Sequence, residues 1–315
     1  MPPITRRLSR AIIATAAVAS VLFTAACSST PSSSESTAAE QSASYTVKHA
    51  MGEETFESVP QRIVVIDSPQ LDALVALGMT PVGATVSGAD GGFPAYVAGK
   101  LTDTVSVGST SEPDIDAIAN LDPDLIIGSK VRHEAIYDEL EAIAPTVFSV
   151  NSGTDWTEQA LITAASVNQT DAMTSKIAEL DARAESVGES VAATGTTLSI
   201  VRFRPDNFRL YGPETFSGSI LAKAGFDLGE RKWNEYSMME LSPELFEQID
   251  GDVVFYTNPG GDPAATTMGT VTGLWKDLPA VKAKKVYEVE DETWMVGIGV
   301  VGASVILDDV EKLLK

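Results

Sequence analysis

Asp155 to Val191 reads DWTEQALITAASVNQTDAMTSKIAELDARAESVGESV. The stretch is mostly polar, is capped by Thr154 or Asp155, and carries Leu161, Ala165, Ile177, Leu180, Val187 and Val191 as its apolar residues. A single helix of about 35 residues would run about 50 Å at 1.5 Å per residue, longer than a small domain needs. A helix of that length reads as a bridge, and the sequence on either side says what it joins.

On both sides, short apolar strands alternate with helices. Arg62-Ile-Val-Val-Ile66 is a β-branched run, followed by Asp67-Ser68-Pro69 as a helix start, by Leu71, Leu74, Val75 and Leu77 at helical spacing, and by Gly78 as a stop. Pro81 to Thr85, Leu125 to Ile127 and Thr146 to Val150 read as further strands, with helices over Ile115 to Leu121 and Tyr137 to Ile143. Beyond the bridge, strands are expected at Leu198 to Phe203, Val253 to Tyr256 and Val286 to Val289. Helices are expected around Ser219 to Ala224, Pro243 to Ile249 and Val301 to Leu314. This pattern predicts an α/β fold of two Rossmann-like lobes joined by one long helix. The N-terminal lobe takes residues 45–153, the connecting helix 154–193 and the C-terminal lobe 194–315.

The first 44 residues carry a different signal. Arg6, Arg7 and Arg10 precede an uncharged stretch of small and apolar residues from Ala11 to Ala26, the pattern of an export signal over residues 1–26. It is short for a membrane-spanning helix, which needs about 20 predominantly apolar residues, and no later segment suits one. Thr24, Ala25 and Ala26 ahead of Cys27 resemble the bacterial lipobox, which implies that the Cys27 thiol is acylated and becomes the mature N-terminus. The competing reading is a soluble secreted protein with an incidental cysteine. Residues 28–44 are almost all Ser, Thr, Pro, Ala, Glu and Gln, so 27–44 is expected to be a lipidated cysteine followed by a flexible tether.

The chain of 315 residues has a net charge of −22, and residues 1–26 hold three arginines and no acid. Without them, 19 basic residues face 44 acidic ones, a charge of −25. Such a body repels nucleic acid and anionic lipid head groups. Cys27 is the only cysteine, so the fold rests on its core and not on disulfides.

Pro60 to Ile66 leading into Leu71 to Gly78, Pro81-Val-Gly83, and Asp116 to Ile127 resemble the N-lobe of ferric-siderophore and cobalamin binding lipoproteins of ABC importers. Val201-Arg-Phe-Arg-Pro205, Arg209-Leu-Tyr-Gly212, Leu241 to Leu245, Ile249 to Val254, Leu274-Trp275, Leu278 to Val281, and Trp294 ahead of Gly297 to Ala303 resemble the iron-siderophore branch. The order and spacing of these pieces over residues 45–315 carry the likeness. It implies the helical-backbone periplasmic binding protein fold, with lobes that flex little on binding.

A ferric siderophore is a bulky chelate with an apolar or aromatic periphery and oxygen ligands, so its pocket needs aromatic faces and planar donors, for which arginine suits better than lysine. Strand alternation puts Arg202 and Arg204 on one face, with Ser199, Val201 and Phe203 on the other. Arg209 and Tyr211 share a face, and Arg132 offers a cation from the other lobe. The bland alternatives are arginines paired with surface carboxylates and, for Arg132, an exposed helix start. Trp156, Trp233 and Trp294 lie in loops or at element starts, where pocket walls form, whereas Trp275 reads as core. Tyr236, Met238 and Met239 read as an adaptable wall or a local core patch. The resemblance further implies an acid on each lobe that meets permease arginines. The matching positions are Asp116, which replaces the usual glutamate and has Glu112 and Asp114 as substitutes, and Glu244. Glu244 also suits a helix first turn.

Only two histidines, His49 and His133, are present, and both read as surface residues, so no metal centre or resident cofactor is expected. Gly297-x-Gly299-x-x-Gly302 satisfies a dinucleotide fingerprint, but too little chain follows for the rest of that unit. Those glycines read instead as a loop that approaches a ligand and starts the last helix. No nucleophile elbow or phosphate-cradling loop occurs. The sequence therefore predicts a binding protein and no enzyme: a monomer, lipid-anchored on the outer face of the cell membrane, that captures a ferric siderophore and delivers it to an ABC importer permease. Haem or cobalamin uptake is the alternative ligand class, and a secreted envelope hydrolase the alternative activity.

Overall fold

The computed structural model describes residues 44–88 and 91–315; the expected export signal, Cys27 and the tether lie outside the described residues. A hairpin, β1 (Tyr45–His49) with β2 (Gly52–Phe56), places Val47 and Phe56 in the core of the first lobe. That lobe is a six-stranded sheet of β3 (Ile63–Val65), β4 (Gly83–Val86), β5 (Val105–Ser109), β6 (Glu112–Pro113), β7 (Leu125–Ser129) and β8 (Thr146–Ser149). Their order is β6-β5-β4-β3-β7-β8, parallel except at the β5–β6 edge. Its central strands are continuous apolar runs because both faces are covered. Ile63, Val65, Leu125 and Ile127 pack on one face, Val64, Ile66 and Ile126 on the other.

The second lobe contains β9 (Leu198–Phe203), β10 (Phe208–Tyr211), β11 (Met238–Leu241), β12 (Val253–Thr257) and β13 (Val286–Glu288), in the order β11-β10-β9-β12-β13. β9, β12 and β13 are parallel, while β10 and β11 run antiparallel beside them. Leu198, Ile200, Val253 and Phe255 face one core, Val201, Phe203 and Val254 the other. The lobes are thus α/β layers on two mixed sheets.

Five helices hold the sheets together: α1 (Ser68–Ala76), α2 (Trp156–Ser166), α3 (Thr170–Ser190), α4 (Phe216–Lys223) and α5 (Val300–Leu314). The stretch expected as one helix is two. After Ser166 the chain leaves helical geometry at Val167, and Asn168 takes a left-handed conformation, φ 54°. The Asn168 N–H then bonds Ala165 O at 3.0 Å and the Gln169 N–H bonds Ala164 O at 2.8 Å, the paired closure of a Schellman stop. Asparagine tolerates that conformation, so the break needs no glycine. α2 packs on α1 through Ala160, Ala164 and Ala73, and Met173 at the start of α3 joins them with Val300 of α5 alongside. Further on, Leu180, Ala184 and Val187 of α3 pack with Ile306 and Val310 of α5 and Leu221 of α4. Among the described residues no helix is long and apolar enough to cross a membrane.

A buried polar contact ties the lobes. Asp72, in α1 of the first lobe, is fully buried, and its two carboxylate oxygens accept the Val301 and Gly302 N–H groups, each at 2.9 Å. These are orphan donors at the first turn of α5, so a side chain from one lobe caps a helix of the other. Gly299 makes room for it, and Gly302 makes room for the turn that leads into α5. A Cβ on Gly299, where φ is +156°, would lie 2.2 Å from the Asp72 carboxylate, and one on Gly302 would lie 1.7 Å from Gly297 O. Burial lifts the Asp72 carboxyl from 3.8 to about 6, against the lowering pull of the two backbone donors and the Tyr96 hydroxyl. A carboxyl raised on folding contributes stability that is complete below its unfolded value of 3.8 and is lost as pH rises through about 6.

Asp72→Ala is expected to lower the unfolding free energy by about 1–3 kcal/mol, since two buried donors lose their acceptor. Urea denaturation of the described domain measures this. In Asp72→Asn, the fall in stability between about pH 4 and 6 should flatten relative to wild type; identical slopes would remove Asp72 as its source.

Candidate functional site

The C-terminal ends of β3, β7 and β8 converge, the usual place for a ligand in a parallel α/β layer. β3 runs out at Asp67, which also caps α1 by accepting the Ser68 N–H at 2.9 Å. Its second oxygen accepts the Ser129 hydroxyl, from the end of β7, and the Arg132 Nε–H at 3.1 Å. Arg132 Nη2 reaches on to the Ser152 hydroxyl at 3.0 Å, in the loop after β8. That loop is itself tied down. The Ser149 hydroxyl donates to Asn151 O at 2.9 Å, and Gln159 Nε2 donates to Thr154 O at 2.6 Å.

Opposite stands the second lobe. A cavity of about 190 Å³ lies between Val131 and the Asn151–Thr154 loop on one side, and Tyr211, Tyr236 and Trp294 on the other. Trp294 is fully buried as its floor: the indole N–H donates to Asp309 at 2.9 Å, and the ring sits 4.8 Å from that of Phe255. Tyr236 is 48% exposed at the rim. Met238 lines the same wall, whereas Met239, one residue on, points into the opposite core, as strand alternation requires. The first turn of α4 completes the wall with Phe216 and Ser217, whose buried hydroxyl has no partner among the described residues. An open basin of about 630 Å³ continues from Val131 and Asn151 over Lys130 and Arg132. Glu134 also lines that basin and pairs with Lys130 at 3.4 Å, so the site is an apolar, aromatic slot that opens onto a polar shelf of paired charges.

The arginines of the second lobe form a row across its sheet. Arg209 of β10 lies opposite Arg202 of β9 and Glu240 of β11, and Arg202 lies opposite Thr257 of β12. Arg209 pairs with Glu240, and Arg202 with Asp291 at 2.6 Å, whose other oxygen accepts the Thr257 hydroxyl at 2.7 Å. Burial works against the Arg202 charge, but Asp291 and the Tyr211 hydroxyl outweigh it and hold the guanidinium above its ordinary value. The Nε atoms of Arg202 and Arg209 remain buried without a partner among the described residues. Arg204, on the same face, has no ion pair among the described residues. The row reaches the cavity through Tyr211.

The tryptophans divide. Trp294 lines the cavity, but Trp156 is buried in the second lobe's core, edge-on to Phe216, with its N–H on the Ser219 hydroxyl at 3.1 Å. Trp233 stacks under the Arg231 guanidinium at 5.7 Å and is absent from the cavity lining. Trp275 is core, packed near Phe203 and Tyr256. His133, expected at the surface, is instead 2% exposed: its ring lies 6.1 Å from that of Phe148, and Nε2–H donates to Thr110 O at 2.9 Å. His49 is half-buried, accepts the Phe148 N–H at 3.1 Å, and is held below its ordinary pKa first by burial. Among the described residues no group of three or more His, Cys, Asp or Glu is placed to hold a metal. Asp116 is exposed in a helix first turn; Asp114 caps that helix by accepting the Ala117 N–H at 2.9 Å, and Glu112 is exposed beside it. Glu244 is exposed on the other lobe, held below its ordinary pKa first by the Ser242 hydroxyl.

Sequence reasoning read Asp67 only as a helix start and missed its bond to Arg132, and it missed the Asn151–Thr154 loop that lines the cavity. The signal for Asp67 was present, since an N-cap at the end of a central parallel strand sits where ligands bind. The loop gave none.

Two α/β lobes, helices that tie them and a cleft shared between them define a bilobal substrate-binding protein. The chain belongs to the periplasmic binding protein family, whose profile matches residues 63–293. It is thus a substrate-binding protein and not an enzyme. It is 37% identical over 305 residues to the probable siderophore-binding lipoprotein YfiY of Bacillus subtilis strain 168, covering 92% of this chain and 94% of that one. It is 31% identical to the Fe(3+)-citrate-binding protein YfmC of the same organism, covering 92% of each. Among solved structures, Staphylococcus aureus SirA complexed with staphyloferrin B superposes with a TM-score of 0.73 at 28% identity, covering 86% of this chain and 98% of that one.

The arginine row separates structural from free cations. Arg202→Ala should destabilise the domain by about 1–2 kcal/mol, because the half-buried Asp291 loses its cation and keeps only the Thr257 hydroxyl. Arg204→Ala should stay within about 0.5 kcal/mol of wild type. Paired urea denaturation curves test the difference; equal effects would contradict it.

Proposed function

We propose that this chain captures a ferric siderophore or a related ferric carboxylate chelate in the interlobe cleft and passes it to the permease of an ABC importer. The observation that carries the reading is the slot walled by Tyr211, Tyr236 and Trp294, opening onto the Arg132 shelf. Aromatic faces suit the periphery of such a chelate, and planar guanidinium donors suit its oxygens. The relatives favour the same ligand class, as YfiY is described as siderophore-binding and YfmC as Fe(3+)-citrate-binding. Exposed acids on both lobes, Asp116 and Glu244, suit contact with permease arginines. Acylation at Cys27 would keep the domain beside that permease, a reading supported by the lipoprotein description of YfiY. Haem is less suited to the cleft, since His133 is buried and bonded to Thr110.

Titration of the mature protein with ferric citrate and a panel of ferric siderophores, followed by tryptophan fluorescence, should give saturable quenching with at least one chelate. Tyr236→Ala should weaken that binding about tenfold, in keeping with loss of one aromatic contact of about 1.4 kcal/mol, and leave the melting temperature unchanged. Saturable binding of haem or cobalamin with no response to any ferric chelate would sink the proposal.

A further inference from the structure

Asp67 is placed as a support and not as a contact. Its side chain is fully buried, whereas the Arg132 side chain beside it is 45% exposed. The carboxylate is located without help from Arg132, since the Ser68 N–H holds one oxygen and the Ser129 hydroxyl the other. Arg132 then donates Nε–H to Asp67 at 3.1 Å and one Nη2–H to Ser152 at 3.0 Å. A guanidinium has five N–H donors in a rigid plane. Two are spent on this edge, which leaves the other donors over the open basin in a fixed orientation. A free arginine would surrender much rotamer freedom on meeting a ligand, and one already held loses less.

We infer that Asp67 is a positioning residue for ligand recognition: it holds the Arg132 guanidinium edge-on so that its remaining donors meet oxygen atoms of the bound chelate. The inference rests on the ferric-chelate reading above. It also means that Arg132 offers direction more than net charge, because its cation is already matched by a buried carboxylate. The arginine pairs of the second lobe differ, since Asp291 is about as exposed as Arg202 and Glu240 is more exposed than Arg209.

The test is a double-mutant cycle on the whole mature protein, with ferric citrate, or whichever ferric chelate quenches wild type most strongly, as the probe. Asp67→Asn and Arg132→Ala should each raise Kd about tenfold, and the double variant should lose no more than either single one, as expected of groups that act as a unit. Asparagine keeps an acceptor for the Ser68 N–H, so the α1 cap persists. Arg132→Lys keeps the charge but not the fork, and should lose about as much as Arg132→Ala. Unchanged or tighter binding by Asp67→Asn, additive losses in the cycle, or full affinity in Arg132→Lys would each overturn the inference. Should wild type bind no ferric chelate, the functional reading falls together with it; wild-type binding with an unaffected Asp67→Asn removes the positioning role alone.

Discussion

Asp72 sets the relation between the lobes. A carboxylate enclosed by protein is costly to desolvate, and this one is retained because it meets two backbone donors that would otherwise be stranded at the start of α5. Both partners therefore need each other. The glycine at position 299 follows from that contact, since a methyl group there would strike the Asp72 carboxylate, while Gly302 is required by the Gly297 carbonyl packed against it. The segment from Trp294 to Ile298, which leads into α5, supplies cavity lining, so the cap that joins the lobes also fixes one wall of the cleft.

The arginines show how cations are held in an acidic protein. Arg132, Arg202 and Arg209 each have a carboxylate partner. Pairing of this kind contributes little stability when exposed and can oppose folding when buried, so its main effect is on orientation. Guanidinium planes held in place favour ligands whose oxygens lie at matching positions, and a mobile cation would favour any anion.

Much of the fold was legible because the central strands advertise themselves. Ile63–Val65, Leu125–Ile127 and Val253–Phe255 are apolar throughout, as strands covered on both faces must be. The start of α1 at Asp67 followed from cap chemistry. The break between α2 and α3 was not legible, because Val167-Asn168-Gln169 keeps a helix-compatible pattern and only the left-handed Asn168 ends the turn. Strand alternation put Arg202 and Arg204 on one face, but the partner of Arg202 lies 89 residues away and its identity depends on tertiary structure. Trp156 was misplaced for the same reason: its burial is decided by Phe216 and Ser219, on a helix some sixty residues later. Asp72 did leave a trace, an acid set among the apolar residues of α1, and an interior acid on a helix calls for a buried donor.

The contact of α1, α2 and α3 through Ala73, Ala160, Ala164 and Met173, with Val300 against it, bears on how the cleft is emptied. Small side chains bring these helices close, and parting them would wet an apolar seam and strand the capped donors of α5. The seam therefore sets a cost on any opening of the cleft that separates the lobes, a cost that movement confined to the cavity rim at Tyr236 does not carry.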